Sequence, residues 1–438
     1  MENLLVITER SDWHWILTAE CALALKKLGE NVSILELLPK FEENSTVSSK
    51  ESELILKIEE LLNYEKIEIC KKAIKRRFKI FIKIKHFAYF DEGYSIQKFA
   101  FASLVAILQK WQINIFKIKN LYQVLNIMSI AKSYHYYLST GYWRNVNSVY
   151  VVNGRFVRNA TVKGYFDDQG ITTKVIEFGS GRNRLKICSL GAQSIEEHES
   201  MTINSWESAD LEVREEIARA FFVARRKKDP ISGISWTAGM TPNFIPKLGV
   251  KKKTCVFYAT SQIEFAGNAL ENSDIEFKSQ DDALLAILEL LDDKDWQILL
   301  RKHPKARDHS GWSDSEDQLE KSINSSKLTI IESDSPVDSY ALAARADLVV
   351  TYGSSIGPEI VFAELAPVIS LCNTNWKFCS PDRHATNRKE LKELLEKELP
   401  IIEGKEVLPW GYFAATSGDL FKYFEVYGSS WRLKLNKH

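Results

Sequence analysis

The residues best suited to chemistry lie in three short segments of the C-terminal half, each directly after an apolar run. The first is Leu300-Arg301-Lys302-His303-Pro304. Arg301 and His303 are two apart, so on an extended chain their side chains point the same way. Pro304 ends the strand and stiffens the turn. A guanidinium and an imidazole together offer donors to one anion, and a phosphate fits them well. A basic surface turn is the structural alternative. The second segment is Tyr352-Gly353-Ser354-Ser355-Ile356-Gly357-Pro358-Glu359. Its small residues let backbone approach a ligand, Ser354 or Ser355 can cap the following helix, and Pro358 is tolerated in a first turn. Free N–H groups and hydroxyls at a helix start suit a phosphate, and Glu359 can accept both hydroxyls of a ribose. A cap without a ligand is the alternative. The third is Thr260-Ser261-Gln262-Ile263-Glu264, where Ser261 can touch phosphate or sugar, or simply form a capping box with Glu264.

These segments need a scaffold that brings strand ends together. Leu4–Thr8, a helical pattern over Trp15–Leu28 stopped by Gly29, and Val32–Leu38 read as strand, helix, strand. That order implies a doubly wound parallel sheet. Residues 51–140 read as helices inserted into this first domain, and the α/β rhythm returns with Ser148–Val152, Arg155–Asp168 and Thr173–Phe178. A helix over Leu211–Lys228 precedes the proline- and glycine-rich residues 229–253, where the linker is expected. Strands at Thr254–Ala259, Gln297–Leu300, Leu328–Ile331, Asp347–Thr351 and Pro367–Leu371 alternate with helical patterns to make a second α/β domain. The expected organisation is therefore 1–228 as an N-terminal domain, 229–253 as linker, 254–407 as a C-terminal domain, and an aromatic segment 408–438 that docks back on the body. Two such domains create a cleft, and ligands of open parallel sheets bind beyond the carboxyl ends of the strands.

With that framework the three segments point jointly to nucleotide binding. The sequence contains neither G-x-x-x-x-G-K-S/T nor G-x-G-x-x-G, which argues against P-loop NTPases, kinases and nicotinamide dehydrogenases.

Two stretches carry a family resemblance: Asp334-Ser335-Pro336-Val337-Asp338-Ser339-Tyr340, and Ala346-Asp347-Leu348-Val349-Val350-Thr351 running on through Glu359. They resemble bacterial capsule and surface-polysaccharide glycosyltransferases of the GT-B fold. Arg301-Lys302-His303-Pro304 looks like the HP motif of those enzymes. Ser354-Ser355 looks like the serine motif of bacterial sialyltransferases and Kdo transferases. The resemblance implies that His303 and the serines hold the donor phosphate of a CMP-sugar. Asn153-Gly154-Arg155 and Pro409-Trp410-Gly411-Tyr412 are similar to segments of the same relatives, so the likeness spans most of residues 148–427. It implies two Rossmann-like domains facing a cleft, with donor contacts from Ser261, Glu264, Arg301, His303, Pro304, Tyr352, Gly353, Ser354, Ser355, Gly357 and Glu359.

Transfer with inversion needs a group to take the acceptor proton. Glu9 and Asp12 follow the first strand. Asp91-Glu92-Gly93 looks like the acidic motif that carries the base in bacterial sialyltransferases, and a solvated turn is its other reading. Asn153 and Arg155 sit at a strand end, where Arg155 can bind an anionic group or cap a helix, and Glu177 ends the next strand. No histidines or cysteines show metal-ligand spacing, so no metal and no cofactor are expected beyond the nucleotide-sugar substrate.

Composition narrows the setting. The chain has 438 residues, 45% of them hydrophobic and 26% charged, as in an ordinary globular protein. With 58 basic and 58 acidic residues its formal charge is zero, which disfavours a nucleic-acid partner. No apolar run reaches the length of a spanning helix, the first residues lack a signal-peptide pattern, and the six cysteines are scattered, so a reducing cytoplasm is expected. Lys71–Lys85 carries eight basic residues and no acid. It can lie on the inner face of an anionic membrane, which would suit a lipid-linked glycan acceptor, or pack as an amphipathic helix. The leading expectation is transfer of a sugar from a CMP- or UDP-sugar to a capsule, O-antigen or other surface glycan. A non-hydrolysing UDP-GlcNAc 2-epimerase and a non-catalytic subunit of a polysaccharide assembly complex are the alternatives.

Overall fold

The computed structural model describes residues 2–9, 11–39, 56, 63–69, 102–104, 107, 117–141, 143, 145–191, 194–227, 239–247, 253–260, 275–277, 279–291, 295–303, 328–372, 374–427 and 430–434. The chain forms two compact units. The first is Met1–Ile107, Ile113–Glu197 and Ser417–His438, and the second is Leu108–Gln112 and His198–Thr416.

The first unit opens with β1 (Glu2–Ile7), almost wholly buried. Helix α1 (Asp12–Lys27) starts at Ser11, whose hydroxyl accepts from the His14 N–H at 3.4 Å. Asp12 in its first turn and Lys26 and Lys27 in its last complement the helix dipole. Gly29 follows at φ +82°, a left-handed conformation that glycine adopts without steric cost. Strand β2 (Val32–Pro39) pairs parallel to β1, and β3 (Asn63–Ile69) pairs parallel to β2. Helix α2 (Ile118–Thr140) then leads to β4 (Val146–Val152), on the other side of β1. Helix α3 (Val157–Asp168), β5 (Thr172–Phe178) and an antiparallel β6 (Arg184–Cys188) complete the run.

The expectation of helices throughout 51–140 holds for α2 and fails for β3. The charged residues of β3 suit a helix, but Glu65, Ile67 and Ile69 alternate with Tyr64, Lys66 and Glu68. A ladder from Ser33↔Asn63 to Pro39↔Ile69 makes β3 the edge of the sheet, where charge is tolerated. In α2, Val124, Ile127, Ala131, Tyr134 and Leu138 are buried at steps of three and four, one face of a helix. The Tyr134 hydroxyl lies 2.8 Å from the Leu37 carbonyl and 3.2 Å from that of Thr8, tying α2 to the carboxyl ends of β1 and β2. Most of the remaining stretch, including Lys71–Lys85, lies outside the described residues.

Helix α4 (Ile195–Ser208) runs from the end of the first unit into the second. Helix α5 (Leu211–Arg226) is capped by Asp210, which accepts from the N–H groups of Glu212 and Val213. The second sheet follows: β7 (Lys253–Tyr258), α6 (Gln280–Leu290), β8 (Trp296–Arg301), β9 (Leu328–Ile331), α7 (Ser339–Ala343), β10 (Leu348–Tyr352), α8 (Ile356–Phe362), β11 (Val368–Leu371) and β12 (His384–Ala385). Helices α9 (Arg388–Leu395) and α10 (Leu408–Thr416) close the unit. Every strand pair is parallel, in the order β12-β11-β10-β7-β8-β9. Both faces are covered. Phe257, Leu300, Val350 and Ile369 pack toward α6 and α9, while Val256, Leu299, Val349 and Val368 pack with Ile360, Trp376, Phe222 and Trp410. Phe222 of α5 stacks on Phe362 at 4.4 Å between ring centroids. Gly411 gives it room, since a Cβ there would lie 2.3 Å from the Phe222 ring.

The aromatic C-terminal residues divide between the units. Trp410 and Phe413 pack with the second. Beyond α10, β13 (Asp419–Leu420) pairs antiparallel with β6, giving the first sheet the order β13-β6-β5-β4-β1-β2-β3. The hairpin β14 (Phe424–Tyr427) and β15 (Ser430–Leu433) follows, and Phe421, Phe424 and Trp431 join Ile7, Trp15 and Tyr150 in the first core. The Glu20 carboxylate in α1 accepts from the N–H groups of Lys422 and Tyr423, the latter at 3.0 Å. The molecule is thus an α/β chain with two parallel-dominated, doubly wound sheets. Among the described residues no helix is long and apolar enough to cross a membrane.

Candidate functional site

In the second unit the chain winds from β7 outward through β8 and β9, then crosses back to β10 and on through β11 and β12. Its topological switch point therefore lies between β7 and β10, where open parallel sheets bind ligands at the carboxyl edge. The strands end nearly level, with Thr351 opposite Tyr258, and Tyr258 opposite Arg301. The two chains leaving the switch point are Ala259-Thr260 and Gly353-Ser354-Ser355. The Thr260 N–H is held by the Gln280 Oε1 at 2.9 Å, from the first turn of α6. Gly353 has φ +71°, which turns the chain sharply off the sheet and disfavours any side chain.

Ser354 is buried and Ser355 exposed, and neither hydroxyl caps α8. The cap expected from the sequence fails for a geometric reason. Ser355 has helical angles, φ −65° and ψ −12°, and not the extended conformation that aims an N-cap oxygen at the first turn. Gly357 is needed for close approach, because a Cβ there would lie 2.5 Å from the Trp376 ring.

Three of the expected donor residues, Arg301, Tyr352 and Glu359, make hydrogen bonds within the protein. The Arg301 side chain is only 2% exposed, and its guanidinium donates to the backbone carbonyls of Glu332 and, at 3.2 Å, Ser335. It braces the turn after β9. Lys302 is buried against Glu332 at 2.9 Å, and half-buried His303 follows it in the chain. Tyr352 is buried in the core: its hydroxyl donates to the Phe277 carbonyl at 2.8 Å and its ring lies in the α6 face of the sheet. Glu359 ties helices together. Its Oε1 accepts from Arg225 at 2.7 and 2.9 Å, and its Oε2 accepts from the Tyr340 hydroxyl. Burial alone would lower the Arg225 pKa, but Glu359 outweighs it and raises it. Ser261, Glu264 and Pro304 lie outside the described residues.

The same edge holds a feature the sequence analysis missed. Arg301, Tyr258, Thr351, Ser370 and His384 are register neighbours on β8, β7, β10, β11 and β12. Register partners point to the same face, about 5 Å apart. The result is a polar row across five strands of an otherwise apolar sheet, on the face shared with Val349, Val368 and Trp376. Tyr258 is satisfied by the Ser339 carbonyl at 2.6 Å. Among the described residues, buried Arg301 Nε, Thr351 Oγ1, Ser370 Oγ and both His384 ring nitrogens have no hydrogen-bond partner. Thr374 Oγ1, Trp376 Nε1 and Ser380 Oγ, from the segment joining β11 to β12, add three more. Leaving such groups unsatisfied costs about 1–3 kcal/mol each. Burial lowers the His384 pKa to about 4, so its imidazole is neutral near pH 7 and can both donate and accept. The signal was present in the alternation of Thr351 with Val349 and Ser370 with Val368, but register is needed to align them.

The first unit has its own switch point, between β1 and β4. Asn153 and Gly154 follow β4 with φ +64° and +65°, a tight left-handed turn. A Cβ on Gly154 would lie 2.8 Å from Val175. The Asn153 side chain donates to Glu177 Oε2 at 2.8 Å, so these two expected acceptor residues meet. Arg155 does not cap α3, whose N-cap is Phe156, and lies over the Phe156 ring at 4.9 Å. Glu9 lies in the loop before α1, Asp12 is the first residue of that helix, and Asp91 and Glu92 lie outside the described residues. Between them stands a residue the sequence analysis did not select, His14. Its imidazole hydrogen-bonds to the Glu9 backbone, while the Glu9 and Glu177 carboxylates and Arg158 act on its charge. Burial dominates and lowers its pKa. Arg158 also donates to the Thr8 carbonyl at 3.2 Å, and Thr8 donates to Asn159 at 2.6 Å, fixing the end of β1. A neutral imidazole with one nitrogen tied to a carbonyl keeps the other as a proton acceptor.

No family model matches the sequence, and no curated protein matches it. Among solved structures it is similar to the Methanocaldococcus jannaschii UDP-GlcNAc 2-epimerase in complex with UDP-GlcNAc and UDP. That match has 14% identity, covers 93% of this chain and 97% of that one, and has a TM-score of 0.28. A glycosyltransferase from Rickettsia africae ESF-5 matches at 12% identity over 96% of this chain and 94% of that one, with a TM-score of 0.28. The calicheamicin glycosyltransferase CalG4 matches at 10% identity over 95% of each chain, with a TM-score of 0.29. Likenesses this distant say nothing about the chemistry of this chain.

Proposed function

We propose that the protein is a glycosyltransferase whose second unit binds a nucleotide-sugar and whose first unit binds the acceptor glycan and takes its proton. The observation that carries this reading is the row of unsatisfied buried polar groups at the carboxyl edge of the second sheet. Hydroxyls, an indole N–H and a neutral imidazole suit a polyhydroxylated ligand, and Ser354 and Ser355, which do not cap the helix that follows them, suit its phosphate.

His14 is the proton acceptor in this reading, with Glu177 and Asn153 beside it to orient the attacking hydroxyl. Epimerisation of a nucleotide-sugar also needs a proton acceptor but no second substrate, so dependence of turnover on an added acceptor separates the two reactions. Charge on the departing phosphate is met by His303 and by hydroxyl and backbone donors. The acceptor is a surface glycan, either capsule, O-antigen or lipid-linked, as the family resemblance implies.

A thermal-shift panel of CMP, UDP, GDP and their sugars tests the reading. Selective stabilisation by CMP species supports a Kdo or sialic acid donor, and by UDP species a hexose or hexosamine donor. No shift with any nucleotide contradicts it. Formation of UDP-ManNAc from UDP-GlcNAc alone would establish the epimerase instead.

A further inference from the structure

The second unit contains a cavity of about 350 Å³ that the proposed reaction does not use. It lies along α7 and is lined by Arg226 at the end of α5, by Met240 and Asn243, and by Tyr340 and Arg345. Its size is that of a small-molecule site. Its wall is held in place by three hydrogen bonds, two of them between backbone groups. The Thr241 N–H donates to the Pro336 carbonyl at 2.8 Å, the Asn243 N–H to Asp338 Oδ2 at 2.9 Å, and the Asp338 N–H to the Phe244 carbonyl at 2.8 Å.

The charge in the cavity is unbalanced. Asp338 is its one acid, and that carboxylate is committed to the N–H groups of Asn243, Tyr340 and Ala341. Arg226 and Arg345 have no carboxylate partner among the described residues, and the Arg226 guanidinium lies 6.0 Å from the Tyr340 ring. Two guanidiniums of like sign at one small cavity are complemented by an anion, and arginine pairs bind phosphate in a bidentate fashion. Tyr340 and Met240 give the same cavity an apolar wall suited to a flat ring.

We propose that this cavity is a binding site for a small organic phosphate, its phosphate held by Arg226 and Arg345 and its ring or carbon body against Tyr340 and Met240. The site is separate in its residues from the serine loop and the polar row, and it does not rest on the transferase reading.

Calorimetric titration with phenyl phosphate, with inorganic phosphate and benzyl alcohol as partial ligands, tests the proposal on the full chain. Phenyl phosphate binds with the highest affinity of the three. An R226Q/R345Q double variant, whose exposed positions leave the fold intact by circular dichroism, weakens it by about tenfold or more. An S354A/S355A variant binds it as the unmodified protein does, which separates this site from the donor site. Added salt weakens the interaction. Absence of saturable binding, or equal affinity in the R226Q/R345Q variant, overturns the proposal. Binding lost in S354A/S355A and kept in R226Q/R345Q also overturns it, by placing the phosphate at the serine loop.

Discussion

At the residue scale, single groups are set to one protonation state or one conformation by their surroundings. Burial lowers the His14 pKa from its ordinary 6.5, so the imidazole stays neutral and basic at and above neutrality. If it accepts the acceptor proton, kcat/KM falls only as pH drops below about 6.5, and His14→Asn removes that limb and lowers kcat by about 10²–10⁴-fold. A pH–rate profile of both proteins checks this; an unchanged profile would exclude His14. His384 makes the matching prediction for stability. Its folded pKa of about 4 lies below its unfolded 6.5, so the unfolded chain binds the proton more readily between those values. Its contribution is complete above pH 6.5 and is lost as pH falls toward 4, by up to about 3 kcal/mol. Denaturant melts of the protein and of His384→Gln across that window show a steeper loss in the unmodified protein. Gly357→Ala places a methyl against Trp376 and destabilises by about 1–3 kcal/mol, measured the same way.

At the element scale, the Arg225–Glu359–Tyr340 network joins α5, α8 and α7. Arg225→Ala leaves the buried Glu359 carboxylate without its cation and costs about 3–5 kcal/mol, read from urea unfolding. A change below 1 kcal/mol would show that the tie is dispensable. The same network marks a limit of sequence reading. Glu359 is legible as a first-turn acid, but Arg225 is 134 residues away, and nothing local reveals that the pair meets. Elements with strong local signals were readable: Leu328–Ile331 matches strand β9 at both ends, and Gly29 stops α1 as expected. Strand β3 was not, because its stability comes from a ladder with β2 and not from its own composition. The polar row was invisible for the same reason, since Thr351, Ser370 and His384 become neighbours only through register.

At the scale of the whole molecule, two doubly wound sheets each present a switch point, and the C-terminal residues serve both units. The segment 417–438 adds β13 to the first sheet and buries Phe421, Phe424 and Trp431 in its core. Glu20 is held there by the N–H groups of Lys422 and Tyr423. Deleting residues 417–438 therefore removes three core aromatics at once, a loss of more than about 5 kcal/mol, and the first unit unfolds at ordinary temperature. Retention of a full cooperative melt would contradict that placement. The central claim is that the carboxyl edge of the second sheet grips a nucleotide-sugar. Calorimetric titration of CMP- and UDP-sugars into the protein and into its S354A/S355A variant tests it most directly. The account predicts saturable binding of one nucleotide class, weakened at least about tenfold in the variant. Equal affinity in the two proteins, or no binding of any nucleotide-sugar, would contradict it.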